Sequence, residues 1–322
     1  MSIPVIHLSR FLNGTPSERQ AIARETDRVC RDIGFLSVVG HGVPDAVTSS
    51  IYDRAKAFFR LPAAEKQRLA QPGPDIVLGY IGFAKGALAT TRGEATPPDL
   101  KESFNIGPET DARGLPRGPA NLWPEEPGFR AAWLAYYTEM DRLSRDMMHL
   151  FAAALCLGAD HFDRSYARHP SVLSAIYYPD QPEPPAAGQL RAGAHTDFGT
   201  MTILRPDDAP GGLQVMTKEG EWIPARATPN SFIINIGDMM ARWTNDRWVS
   251  TLHRVVNPPR DMARGTERLS IGFFHQPDDD AIVECLPSCR GANGGSSYPP
   301  VRVGHYMSER FISQVVPDPA KA

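Results

Sequence analysis

At 322 residues, with 42% hydrophobic and 22% charged side chains, the chain can bury a large core and has the makeup of an ordinary globular protein. A net charge of −3 and an isoelectric point near 6.3 argue against nucleic acid or an anionic membrane as a partner. The start, MSIPVIHLSRF, has no basic n-region or long apolar stretch, and no apolar run approaches the roughly 20 residues of a membrane span, so a cytoplasmic protein is expected. Four cysteines (Cys30, Cys156, Cys285, Cys289) are too few for a disulfide scaffold. Cys285 and Cys289 have the spacing of half a zinc site, but no second pair accompanies them, and reduced thiols are the better reading.

In chain order, a short strand over residues 3–8 is followed by a turn at Asn13-Gly14. Thr15 as N-cap and Pro16 in the first turn predict a helix running to about Ile33, where Gly34 stops it. GFLSVVGHGVP then reads as a buried strand, with His41 a structural hydrogen-bonder between two glycines. Val47, Ile51, Ala55 and Phe58 mark one face of a second helix, which ends before Pro62. Residues 71–98, rich in Gly, Pro and Thr, read as a long loop or short strands of the kind that line pockets. LKESFNIG (residues 100–107) reads as a strand. The longest helix is expected over residues 129–157, its stripe from Trp133 to Ala154 serving as core packing.

From Ser171 onward the pattern becomes strands separated by turns: VLSAIYYP, HTDFGTMTILR, GGLQVMT, GEWIPA, SFIINIG, RWVSTLHRVVN and RLSIGFFHQP. Short strands at hairpin intervals with no intervening helix predict a sandwich or jelly roll. Residues 303–316 read as a C-terminal helix and PDPAKA as a frayed tail.

Within this run, His195 and Asp197 stand two apart. Read as strand residues they share a face, so an imidazole and a carboxylate can converge on one metal, with His253 downstream as a third ligand. Two His and one carboxylate with open positions is the pattern of a non-haem Fe(II) site. A second H-x-D, His161-Phe162-Asp163, lies in expected helical context; there residues two apart diverge, and the match is rejected.

Taken together, DIGFLSVVGHGVP, LKESFNIG, IYYP, AHTDFGTMTIL, GGLQV, NIGDMMARWTND, LHRVVNPP and RLSIGFFHQP resemble, in order and spacing over nearly the whole chain, the Fe(II)/2-oxoglutarate-dependent dioxygenases, specifically the isopenicillin N synthase-like branch. The strongest element is H-x-D, then His after 55 residues, then R-x-S after 14 more. The resemblance implies a mostly β fold: a double-stranded β-helix (jelly-roll) core with supporting helices and a mixed α/β N-terminal region. Its expected parts are residues 1–120 (N-terminal mixed α/β), 121–170 (supporting helices), 171–285 (jelly-roll core) and 286–322 (C-terminal helix and tail), in one compact unit.

The implied activity is C–H oxidation of a small organic molecule, using Fe(II), the cosubstrate 2-oxoglutarate and O2, and forming succinate and CO2. His195, Asp197 and His253 would hold the metal. Arg268 and Ser270, two apart on an alternating strand, would hold the distal carboxylate of 2-oxoglutarate; an arginine facing a barrel interior needs an anion. Tyr178 of IYYP matches the family tyrosine at that carboxylate, although Ile176 replaces the asparagine usual in plant members. Phe274, on the inward face of Arg268 and Ser270, is a substrate-pocket candidate, as are Phe104, Phe198, Thr196 and Trp243, with core packing equally open for each. Asn235 and Asp238 are expected to shape a turn. The alternatives are an Fe(II) oxidase that does not use 2-oxoglutarate and a non-catalytic jelly-roll binding protein. A monomer is the family default.

Overall fold

The computed structural model describes residues 3–73, 76–111, 114–117, 119–262, 264–291 and 293–313, without the side chains of 311–313. The predicted tail and the end of the predicted C-terminal helix, residues 314–322, lie outside them.

The first elements are β1 (Val5–His7), α1 (Leu8–Asn13), α2 (Pro16–Asp32), β2 (Phe35–Val39), α3 (Asp45–Phe59) and α4 (Ala63–Gln67). The α2 start is the one its sequence predicts: the Thr15 side chain accepts from the Glu18 amide while the Glu18 carboxylate accepts from the Thr15 amide. Beyond its last turn, Gly34 takes a φ of +64°. Helices α1 and α4 have six and five residues, too short to show a helical period.

Then come β3 (Gly79–Ile81), β4 (Glu102–Ile106) and the long α5 (Phe129–Ala154), whose buried stripe runs from Phe129 to Ala154. The remainder is β5 (Val172–Tyr178), β6 (Ala192–His195), β7 (Met201–Pro206), β8 (Gly212–Met216), β9 (Trp222–Pro224), β10 (Phe232–Ile236), α6 (Asp238–Trp243), β11 (His253–Val256), β12 (Arg268–His275), β13 (Ile282–Val283), β14 (Val301–Arg302) and α7 (Val303–Ser313).

An eight-stranded sheet runs β1-β2-β10-β7-β12-β5-β4-β3, and a four-stranded sheet runs β6-β11-β8-β9. Every pairing in them is antiparallel except β1 with β2. This is the expected jelly-roll core with flanking helices. The strands of the first 106 residues are built into both edges of the large sheet, β1-β2 beside β10 and β4-β3 beside β5. Strand β10, between two neighbours, is buried at every residue, and its sequence, FIINI, is accordingly a near-continuous apolar run.

Three expectations are corrected here. The stretch read as one strand, HTDFGTMTILR, is two strands in two different sheets: β6 ends at His195, residues 196–200 cross over, and β7 begins at Met201. The strand run is also interrupted by a helix, α6, whose six residues are too few for a periodic signal. A third correction concerns His161, which sits in an exposed turn rather than a helix, while Asp163 pairs with His149 at 3.2 Å. The rejected H-x-D is therefore a surface feature.

Candidate active site

Between the two sheets lies a cavity of about 590 Å³. Strand alternation decides which side chains reach it: Arg268, Ser270 and Phe274 from β12, Val172, Ser174, Ile176 and Tyr178 from β5, and Ser103 and Asn105 from β4. The same alternation turns Phe104 away. It packs on Phe58, Phe129 and Trp133 in the core and does not line the cavity. Trp243 is likewise removed from the cavity, because α6 aims it at Phe162 and Tyr166. Phe198, Thr196 and Phe274 do line it. The predicted pocket loop, residues 71–98, contributes Val77, Tyr80, Ile81, Lys85 and Leu88, whereas the loop at 180–188 contributes none.

At one end, His195, Asp197 and His253 bring their donor atoms within 4.8 Å of one another, the one such metal-capable cluster among the described residues. His195 and His253 are direct cross-strand partners on β6 and β11, so their Cβ atoms are held side by side. Asp197 reaches them from the crossing loop, not from a strand face: its Oδ1 lies 3.8 Å from His195 Nε2 and 3.7 Å from His253 Nε2. That loop is clamped by backbone bonds from Asp238 N to Asp197 O (2.8 Å) and from Met239 N to Gly199 O (3.0 Å). The approach demands glycine. A Cβ on Gly237 would meet Gly199 O at 2.3 Å, and one on Gly199 would meet His275 O at 2.5 Å.

Each imidazole is oriented by its far nitrogen. Nδ1 of His195 donates to Gly193 O (2.8 Å) and Nδ1 of His253 to Thr251 O (3.0 Å), which leaves both Nε2 lone pairs for a ligand. Asp197 Oδ2 accepts from the Thr202 hydroxyl and from Asn235 Nδ2 at 2.7 Å. Burial, and then the His253 ring, holds the His195 imidazole far below its ordinary range, so it is neutral at pH 7. Burial pushes the Asp197 carboxyl up, but His253, His195, Thr202 and Asn235 together outweigh it and keep it below the usual carboxylate range. Two imidazoles, one carboxylate and no thiolate, with the cavity on the open side, fit a divalent iron.

Arg268 sits opposite Tyr178 in the β12–β5 register, so both reach the same part of the cavity. Its Nη1 donates to Ala209 O at 2.9 Å and lies 3.5 Å from Asp207 Oδ1. Ser270 follows on the same face. An arginine fork, a hydroxyl and a phenol there fit a carboxylate.

Residues 169–277 match the 2OG-Fe(II) oxygenase superfamily, and residues 3–126 match the family described as non-haem dioxygenase in morphine synthesis N-terminal. The validamycin A dioxygenase of Streptomyces hygroscopicus subsp. limoneus is 32% identical, over 98% of this chain and 87% of its own length. The chain belongs to the 2OG-Fe(II) oxygenase superfamily.

This oxygenase uses Fe(II), 2-oxoglutarate and O2. It is also similar to a homoarginine-6-hydroxylase of Oryza sativa subsp. japonica, at 33% identity over 92% of this chain and 90% of that one. A full-length Neurospora crassa structure in complex with alpha-KG superposes with a TM-score of 0.84 at 29% identity, covering 96% of both chains. The same protein has been solved with alpha-KG and thymine.

Sequence reasoning missed three features of the oxygenase site. Asn235 was read as a turn residue, yet it donates to the Asp197 carboxylate from β10, and only the pairing of β10 with β7 brings it there. Asp238 receives Ser250 Oγ (2.7 Å), Thr196 Oγ1 (3.4 Å) and Tyr306 Oη (3.1 Å), tying the crossing loop to α7, and burial raises its carboxyl. At the cavity edge, Lys66 Nζ and Glu102 Oε2 form a buried pair at 2.7 Å, joined by the Tyr80 hydroxyl. No local signal marks any of the three.

Proposed function

We propose that His195, Asp197 and His253 hold the Fe(II), that Arg268, Ser270 and Tyr178 hold the distal carboxylate of 2-oxoglutarate, and that the substrate is a small organic molecule hydroxylated at a C–H bond in the same cavity. The observation that carries this reading is the meeting, in one cavity, of the three-donor cluster and the buried Arg268. Bound Fe(II) and 2-oxoglutarate supply oxidation of a C–H bond by O2, coupled to conversion of 2-oxoglutarate to succinate and CO2.

The protein's residues do the positioning. Thr202 and Asn235 occupy Asp197 Oδ2, so Oδ1 alone faces the two Nε2 atoms. Gly193 and Thr251 carbonyls fix the imidazole planes. Phe198, Phe274, Val172 and Leu204 give the cavity apolar walls that exclude water and hold a substrate body near the metal. Relatives named for validamycin A and homoarginine, and a structure holding thymine, support a small soluble substrate. No helix among the described residues is long and apolar enough to cross a membrane, and three of the four free cysteines are buried. The buried thiols fit a cytoplasmic protein, proposed as a monomer whose sequence divisions at 120, 170 and 285 fold as one unit.

The test is anaerobic. Fe(II) and then 2-oxoglutarate are added, and the weak visible metal-to-ligand charge-transfer band is followed. The reading expects the band in wild type and its loss in Asp197→Ala, together with O2-dependent succinate release. Iron binding without a band would favour an oxidase that does not use 2-oxoglutarate.

A further inference from the structure

Arg191, immediately before β6, is fully buried, yet among the described residues no carboxylate lies within ion-pair distance of it. Its Nη1 donates to Pro210 O at 2.9 Å and its Nη2 to Thr266 O, while Nε has no hydrogen-bond partner among those residues. The guanidinium lies 5.9 Å from the centre of the Tyr178 ring. Every group it touches adjoins Arg268. Pro210 follows Ala209, whose carbonyl accepts from Arg268; Thr266 stands two residues before Arg268; Tyr178 is its cross-strand partner.

The charges do not balance. Two buried guanidinium groups, Arg191 and Arg268, face one carboxylate at ion-pair distance, Asp207. Asp180 is half-buried and engaged with the amides of Gly265 and Thr266 rather than with either guanidinium. A buried cation left without a counter-ion is costly, and a second one beside it more so, unless an incoming anion completes the set. We propose that Arg191 is a positioning residue for the cosubstrate: it fixes Tyr178 and the Ala209 segment around Arg268, and its charge selects a 2-oxo acid that carries a second, distal carboxylate. This rests on the assignment of Arg268 given above. Burial first, and then the like charge of Arg268, pushes Arg191 down to about 10, which still leaves it charged at neutral pH.

The experiment compares two ligands added anaerobically to the Fe(II)-loaded full-length protein and read by the charge-transfer band: 2-oxoglutarate, and 2-oxovalerate, which keeps the 2-oxo acid group but lacks the distal carboxylate. Arg191→Met should weaken 2-oxoglutarate by about tenfold or more and change 2-oxovalerate by less than about twofold. Arg191→Lys, which keeps the charge, should restore 2-oxoglutarate binding to within about threefold of wild type. A parallel loss of both ligands would mean Arg191 merely supports the fold, and an unchanged 2-oxoglutarate affinity would mean it supports nothing; either overturns the proposal. If Arg191→Met does not fold, Arg191→Lys decides alone: near-wild-type discrimination between the ligands supports the charge role, and its loss refutes it. Arg268→Met run alongside separates the two readings. It should weaken 2-oxoglutarate far more than 2-oxovalerate; an equal effect on both ligands would mean that the carboxylate subsite itself is misplaced.

Discussion

Asp197 divides its two oxygens between different tasks. Oδ2 is taken by Thr202 and Asn235, and Oδ1 faces the imidazoles. Partners of this kind typically contribute one to two orders of magnitude to metal affinity. Asn235→Ala and Thr202→Val are therefore each expected to weaken Fe(II) binding by about tenfold to a hundredfold, measured by competition with a chelator. Wild-type affinity in both variants would show that Asp197 needs no such support. The pocket assignments divide in the same way. Phe104→Leu should lower the melting temperature and leave 2-oxoglutarate affinity unchanged, since Phe104 packs on Phe58, Phe129 and Trp133 rather than on the cavity. A weakened charge-transfer titration in that variant would return it to the site.

Among the elements, the crossing loop at 196–200 decides the most. It carries the chain from the small sheet to the large one and delivers Asp197 on the way. Its fit against the start of α6 leaves no room for a side chain at Gly237. Gly237→Ala should cost roughly 1–3 kcal/mol of stability, because backbone rather than a flexible side chain must shift. It should also release iron, since the loop cannot move without Asp197; full iron retention at a lowered melting temperature would uncouple the two. The edge formed by α4, β3 and β4 is held by Lys66, Glu102 and Tyr80. Removing one partner of a buried ion pair leaves the other uncompensated, so Glu102→Ala is expected to cost about 3–5 kcal/mol in denaturant unfolding. Replacing Lys66 and Glu102 together by apolar residues should cost less than the single change, and a larger cost would contradict this account.

At the scale of the whole molecule, the buried imidazoles set the response to acid. Burial holds His195, His41 and His275 below their ordinary value of about 6.5; His253 adds to this at His195, and His169 at His275. Below that value the unfolded chain takes up protons that the folded chain refuses, so stability is full above about pH 6.5 and declines as the pH falls, by up to about 1.4 kcal/mol per pH unit for each such proton. Asp238 and Asp278, raised by burial, act with the opposite sign, losing stability as the pH rises from the ordinary carboxylate range. The melting temperature of the metal-free protein should therefore drop between pH 7 and pH 5, and His275→Gln should flatten that drop. A melting temperature independent of pH over this interval would refute the neutral, buried state of these rings.

The sequence by itself determined what is written in short-range pattern. The α2 capping box, the apolar stripe of α5 and the alternation of β12, which puts Arg268, Ser270 and Phe274 on one face, all follow from neighbours a few residues apart. That His195, Asp197 and His253 belong together was legible too, from spacing and resemblance, but the reason they converge was not. His195 meets His253 because β6 pairs with β11, and Asp197 leaves the strand to join them. Asn235, Asp238 and the Lys66–Glu102 pair were hidden for the same reason: each works through a partner 12 to 68 residues away. Local sequence fixes which face a side chain takes. Only the packing of one sheet on the other decides what that face meets.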